Sequence, residues 1–340
     1  MIVTKRLPVF LGAAVLAAGL FCAAFAAQDS LPDKMDSPGG FPERPLTMIV
    51  PYGPGGGSGQ VAAAMAAAVT ELTDAGINRD HKPGGSGMVG LTSYMALPAD
   101  GYNVLEHIDD AASAFASGSS EINPAEDLIP LVISQITFSQ IYIRANEDRF
   151  SDWDSFVKFV KDQGGKTTIA NVSREGSMER VMLKQVTDHF GVEMQQISFD
   201  KGGPRYAALK GGQVDALFEQ PGDVRGFLDS GDFRPIITLL NERPSAFPDT
   251  PSMKDVGMDI EPLFRYRGFY VKKGVPEDRL KWLQWAFQKA FHQQSYQDYN
   301  KKKFMDLIDS FRDTEGAKQL ITDTIGIYKE RYKEMGISSQ

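Results

Sequence analysis

The chain has 340 residues, 42 % of them hydrophobic, a formal net charge of −8 and one cysteine. That length accommodates two domains with a sizeable apolar core, and one cysteine excludes an intramolecular disulfide framework. An acidic balance argues against nucleic acid or an anionic membrane surface as a partner.

The first residues read as a signal rather than as part of the fold. Lys5 and Arg6 precede the apolar run 7–23, and Ala24-Phe25-Ala26 ends it with small residues where a signal peptidase reads. Cleavage after Ala26 and export to the periplasm are the expectation. Phe21 stands before Cys22, where lipid attachment needs a small residue, so Cys22 is read as a free apolar cysteine. Processing at that point moves the formal charge to −10, because Lys5 and Arg6 leave and no acid does. Residues 27–45 hold four prolines and two glycines among charges of both signs and read as a mobile leader. No later apolar run approaches the roughly 20 residues that span a bilayer.

Ordered elements begin at residues 46–50, the β-rich run Leu-Thr-Met-Ile-Val, and residues 61–72 follow with the Ala, Met and Leu content of a helix. Between them lies Pro51-Tyr52-Gly53-Pro54-Gly55-Gly56-Gly57-Ser58-Gly59-Gln60, a strand-to-helix loop. Amides at a helix start point outward, the macrodipole favours negative charge, and glycine lets a ligand approach the backbone. Residues 76–81 read as a short edge strand. Lys82-Pro83-Gly84-Gly85-Ser86-Gly87-Met88-Val89-Gly90 is a second glycine-rich loop, opening a helix over 91–97. A turn at Pro98-Ala99-Asp100-Gly101 and a strand at 102–105 complete a β-α-β-α-β order that predicts a parallel sheet.

Residues 128–143 are dense in β-branched residues and predict a strand pair leaving the first domain. A second α/β unit follows, with helices over 152–162, 178–190 and 203–210 and strands over 167–170, 196–199 and 214–218. The loop before the second of these helices is again small and polar, with Ser173 or Ser177 as its N-cap. Residues 234–240 read as one more strand, 264–271 as a return crossing, and 276–293 and 314–335 as closing helices. The chain divides accordingly into residues 46–137 with 268–340 as domain 1 and 138–267 as domain 2. Two α/β domains joined by two crossing strands enclose a cleft that the glycine-rich loops face.

Catalytic signatures are missing. Processing leaves no cysteine, G-x-S-x-G and H-E-x-x-H do not occur, and His81, His107, His189 and His292 share no metal-ligand spacing. Gly165-Lys166-Thr167 has Val160 where a phosphate loop needs its first glycine, and the loose match at Gly57, Gly59 and Ala62 to a dinucleotide fingerprint lacks the acid-ended strand. The reading is therefore of a binding protein without enzymatic activity, metal or cofactor.

Several motifs together resemble the substrate-binding receptors of tripartite tricarboxylate transporters, the Bug receptors, over nearly all of the mature chain. They are Phe41-Pro42-Glu43-Arg44-Pro45-Leu46, Val50-Pro51-Tyr52 with Gly55-Gly56-Gly57, Lys82-Pro83-Gly84 with Gly87, and Ala99-Asp100-Gly101-Tyr102. Later come Lys201-Gly202-Gly203-Pro204, Leu209-Lys210-Gly211-Gly212-Gln213-Val214-Asp215, Arg243-Pro244 and Phe247-Pro248-Asp249-Thr250-Pro251-Ser252. The resemblance implies a two-domain periplasmic binding protein of the type II kind, a monomer that closes on a small carboxylate and delivers it to membrane permease subunits. A periplasmic sensor subunit that presents its ligand to a signalling protein is the alternative.

By position, the resemblance places Tyr52, Gly55, Gly56, Gly57, Ser58 and Gly59 in the first ligand loop and Ser86 and Gly87 in the second. Asn171, Ser173, Gly176, Ser177 and Glu179 form the opposite wall, with Phe199, Asp200, Lys201 and Gly202 beneath. Three departures bear on the ligand. Ser58-Gly59 stands where relatives carry Thr-Asp, Glu179-Arg180 where many carry histidine, and Asp200 in place of tyrosine. Arg174, Arg180 and Arg205 are candidates for a second carboxylate, since a guanidinium can hold one bidentately.

Overall fold

A computed structural model describes residues 31–172 and 174–337. The expected signal with its cleavage point, Cys22, and Ser173 lie outside the described residues. The body of the fold begins at Ser37.

The first lobe opens with β1 (Leu46–Val50), α1 (Gly57–Thr73), β2 (Ile77–His81), α2 (Met88–Met95), β3 (Asn103–Ile108), α3 (Asp110–Ala116) and β4 (Leu128–Thr137). The chain then enters the second lobe through β5 (Gln140–Arg144), α4 (Trp153–Gln163), β6 (Thr168–Asn171), α5 (Met178–Phe190), β7 (Gln195–Ser198), α6 (Gly202–Lys210), β8 (Ala216–Glu219), α7 (Arg225–Asp229) and β9 (Phe233–Thr238). It returns through β10 (Arg265–Lys272) and ends in α8 (Glu277–Phe291), α9 (Gln294–Lys302) and α10 (Thr314–Glu334).

Each lobe is built on one five-stranded sheet, in the orders β2-β1-β3-β10-β4 and β7-β6-β8-β5-β9. The layouts match. Three strands run parallel in each, and the strand beside them is antiparallel and was drawn from the other end of the lobe. The predicted parallel β-α-β-α-β unit is present in both lobes, and the 128–143 run is two strands that belong to different sheets. β10 pairs with β4 through a register shift between Arg267 and Gly268. Arg265 onward therefore sits in the first sheet, three residues before the boundary expected at Gly268.

Local sequence explains the elements. α4 starts on a capping box in which Asp152 accepts from the Ser155 amide at 2.9 Å, and it buries Trp153, Phe156 and Val160 at helical spacing. Fully burying such a side chain is worth about 1.5–3 kcal/mol. α1 instead begins on Gly56, extended at φ −92° and ψ 177°, with no side chain capping its first amides.

Two stretches differ from the sequence reading. Residues 37–45 do not behave as a leader. Phe41 is buried, edge-on to Tyr102 at 4.9 Å and to Trp282 at 5.5 Å, and Glu43 donates its amide to the Tyr102 hydroxyl. A low-complexity stretch is held here by one aromatic anchor. The short helix α3 and the polar helix α9 were also not foreseen, because α3 is only seven residues long and α9 has few apolar residues to set a period.

Candidate functional site

The strand-helix loop after β1 faces the starts of α5 and α6 across a cavity of about 40 Å³. Its wall comprises Tyr52, Gly53, Gly56, Gly57, Ser58 and Ile108 from the first lobe, with Val172, Glu179, Asp200, Gly202, Arg205, Glu219, Gln220 and Asp223 from the second and Arg265 and Arg267 from β10. A water needs about 10–15 Å³ and a small-ligand pocket typically offers roughly 300–1,000 Å³. The lobes are pressed together. A Cβ on Gly202 would lie 3.0 Å from the Gly56 Cα, and a Cβ on Gly53 would lie 3.2 Å from the Lys201 side chain.

Tyr52 lies in the loop just after the first strand with its ring edge-on to His107 at 5.9 Å, and its hydroxyl donates to Asp110 Oδ2 at 3.2 Å. Burial pushes the phenol well above its ordinary range, so it remains a donor. Gly87, at φ +86°, supports this arrangement, since a Cβ there would come within 2.5 Å of the Tyr52 hydroxyl. Ser86 shares the strained turn at φ +54°, and its hydroxyl accepts from the Arg174 amide of the second lobe at 3.0 Å.

Charge dominates the rest. Arg265 donates to Asp109 at 2.9 Å and Asp110 at 3.4 Å in its own lobe and to Glu179 across the cleft at 2.9 Å. Arg267 donates to Gln135 at 2.9 Å and to Asp223 of the second lobe at 2.5 Å. Arg205 pairs with Glu219, whose carboxylate also accepts from Tyr206 at 2.9 Å. Yet Nε and Nη1 of Arg205 and Nε of Arg267 make no hydrogen bond. On the acidic side, burial pushes Glu106 up to about 8, Glu179 to about 7 and Asp109 to about 6, against the lowering pull of the arginines. Neither carboxyl oxygen of Glu106 has a hydrogen-bond partner.

Of the residues singled out from sequence, Tyr52, Gly56, Gly57, Ser58, Glu179, Asp200 and Gly202 line the cavity. Among the described residues, Gly55, Gly59, Ser86, Gly87, Asn171, Gly176, Ser177, Phe199 and Lys201 do not line it. Asn171 donates to Gln196 at 2.6 Å, Gly176 gives its carbonyl to Tyr332 at 2.5 Å, and Ser177 is the N-cap of α5 without a side-chain hydrogen bond. Phe199 gives its amide to the Asn171 carbonyl, Lys201 is the N-cap of α6, and Gly55 takes a hydrogen bond from Gln60 at its carbonyl. Gly59 is a packing requirement, because a Cβ would lie 2.5 Å from the Pro54 Cα. The missing acid at this position therefore reflects space in the loop as it is built here.

Arg174 crosses the cleft to Ser113 at 2.6 Å and Ser117 at 3.3 Å, whereas Arg180 lies outside the cavity and bonds Ser198 at 2.6 Å. Only Arg205 of the three foreseen arginines reaches the cavity wall. Arg265, Arg267, Asp109, Asp110, Glu106, Glu219 and Asp223 were missed. A signal existed for the first two. They stand two apart in the otherwise uncharged run 264–271, on one face of a strand that is buried on both sides.

The architecture of two matching α/β lobes has counterparts among known proteins. The sequence model of the tripartite tricarboxylate transporter family receptor matches residues 61–337. The chain belongs to that family. Receptors of this family are periplasmic solute-binding proteins and not enzymes. BugT of Bordetella pertussis (strain Tohama I) is 25 % identical over 224 residues, covering 64 % of this chain and 67 % of that protein. Among solved structures, MatC of Rhodopseudomonas palustris with bound malate has a TM-score of 0.76 at 20 % identity, over 86 % of this chain and 99 % of that one. Rpa4515 of R. palustris with adipate has a TM-score of 0.75 at 16 % identity, over 87 % of this chain and 98 % of that one. At these identities the likeness of the structures concerns the fold.

Proposed function

We propose that this receptor captures a small carboxylate between its lobes and delivers it to a tripartite tricarboxylate-type permease in the membrane. The supporting observation is the set of guanidinium N–H groups without a hydrogen bond, Nε of Arg205 and of Arg267 and Nη1 of Arg205, which has only the Glu179 carboxylate at 4.0 Å, on the wall of the cavity that the uncapped start of α1 also faces. Buried donors left unmade cost about 1–3 kcal/mol each, and an incoming carboxylate satisfies them with charge-assisted hydrogen bonds. Malate and adipate in two proteins of this fold, one the R. palustris MatC, point to the same ligand class. Delivery to a permease is supported by the family's description as receptors of tripartite tricarboxylate transporters.

A thermal-shift screen of mono-, di- and tricarboxylates tests this. A ligand at about 100 times its Kd adds about 2.7 kcal/mol of stability, a clear rise in midpoint for a protein of this size. Stabilisation by uncharged or cationic solutes and by no carboxylate would sink the carboxylate reading.

A further inference from the structure

The closing contact at the centre of the cleft is made by the protein's own carboxylate. Asp223 follows β8 in the second lobe, and its pairing with Arg267 at 2.5 Å joins that lobe to β10 of the first. Both side chains are nearly sealed from solvent, at 3 % and 6 % exposure. The pair lies directly on the first residue of α1, where a Cβ on Gly57 would overlap Nη2 of Arg267 and both carboxylate oxygens of Asp223. An anion over the start of a helix and beside a guanidinium is the arrangement that the glycine-rich loop offers a ligand.

Other charges near the pair leave it intact. Glu106 is held largely neutral at pH 7 by burial, so it does not compete with Asp223 for Arg267. Arg265 is engaged by its own three acids, and Lys303 faces Asp223 from the end of α9. The Arg267 Nε remains unpartnered, so the guanidinium holds one carboxylate and has a donor to spare.

We propose that Asp223 stands in for the ligand's carboxylate: it occupies the position over Gly57 and Arg267, latches the lobes together, and gives way when a solute carboxylate takes its place. The proposal rests on the carboxylate reading above for the identity of the displacing group. The latch itself does not. Because Asp223 moves with the second lobe and Arg267 and Gly57 with the first, opening the cleft withdraws the internal carboxylate and exposes the cradle together with the Arg205 Nε, which makes no hydrogen bond.

The test uses Asp223→Asn, which keeps a hydrogen-bonding group without the charge, and Asp223→Ala, which removes both. In the processed protein, Lys158→Cys and Lys281→Cys, at exposed positions on α4 and α8, carry spin labels that report the distance between lobes. Without added carboxylate, the parent protein should give mainly the short distance of the closed structure, and Asp223→Ala should shift the population to longer distances. Calorimetry with adipate and malate should show at least tenfold tighter binding by Asp223→Asn than by the parent. An unchanged distance distribution in Asp223→Ala overturns the latch. Weaker carboxylate binding by Asp223→Asn overturns the stand-in, since Asp223 would then be a ligand contact. If no carboxylate of the mono-, di- and tricarboxylate screen binds either protein, the carboxylate reading fails and the stand-in with it, while the distances still decide the latch.

Discussion

Glu106→Gln should remove a large part of the pH dependence of this protein's stability. Glu106 is fully buried on β3, makes no hydrogen bond through its carboxyl oxygens, and is pushed by burial from 4.5 to about 8 against the pull of Arg267 and the nearby Ser58 hydroxyl. The folded value lies above the unfolded one, so the native state binds the proton more tightly. Its stabilising contribution is complete below about pH 4.5 and is lost as pH rises toward 8. Over that window one extra proton on the native state corresponds to about 1.4 kcal/mol per pH unit, or on the order of 3 kcal/mol between pH 5 and 7.5. The neutral isostere cannot lose a proton, so the variant's profile should be flatter by that slope and the variant more stable at pH 7.5. Glu179 and Asp109 add slope of the same sign, and the lowered His107 and His292 oppose it, but all are common to both proteins and cancel in the comparison. Urea unfolding of both proteins at half-unit steps from pH 5 to 8 measures the difference. Parallel profiles would show that Glu106 is ionised in the folded protein and would refute the reasoning.

Arg265→Met removes the shared partner of Asp109, Asp110 and Glu179, leaving the two aspartates without their cation and Glu179 with only the more distant Arg205 at 4.0 Å. A loss of about 3–5 kcal/mol in urea unfolding at pH 7 is expected, shrinking at pH 5 as Asp109 and Glu179 protonate, and an unchanged midpoint would contradict the network. Gly59→Asp should unfold the protein or destabilise it by several kcal/mol rather than retune its ligand, because even a Cβ there lies 2.5 Å from the Pro54 Cα. A normal circular dichroism melt for that variant would mean that the loop can rearrange.

How far the site was legible in the sequence depended on distance along the chain. The loop from Tyr52 to Gly59 could be read because strand, glycines and helix are contiguous, so local propensity alone places free amides at a helix start. The second loop was legible for the same reason, although its Gly87 supports Tyr52 rather than lining the cavity. The charge network was not. Arg265 meets Asp109 across 156 positions and Arg267 meets Asp223 across 44, and only the insertion of β10 between β3 and β4 brings them together. Arg205 could be nominated from sequence by type, but its separation from Arg174 and Arg180 in role required knowing which turn of α6 faces Glu219. Phe41 escaped because composition argued for a mobile stretch, and one buried ring is enough to overrule composition.

The strand that carries both arginines also explains why so much charge is tolerated at the centre of the molecule. β10 is the return crossing from the second lobe, so residues on its cleft face necessarily stand at the junction of the lobes, and each arginine there meets an acid of the other lobe, Glu179 or Asp223. Such buried pairs contribute little net stability, because desolvating two charges offsets most of their attraction, although removing one partner is costly. A pair of this kind therefore fixes the geometry of closure without making closure irreversible. Micromolar binding is worth about 8 kcal/mol, more than the net worth of one interlobe pair, so a solute that offers Arg267 its own carboxylate can replace the internal one. Apolar residues at Arg267 and Asp223 would hold the lobes together with equal or greater strength and would give an anion no means of taking their place.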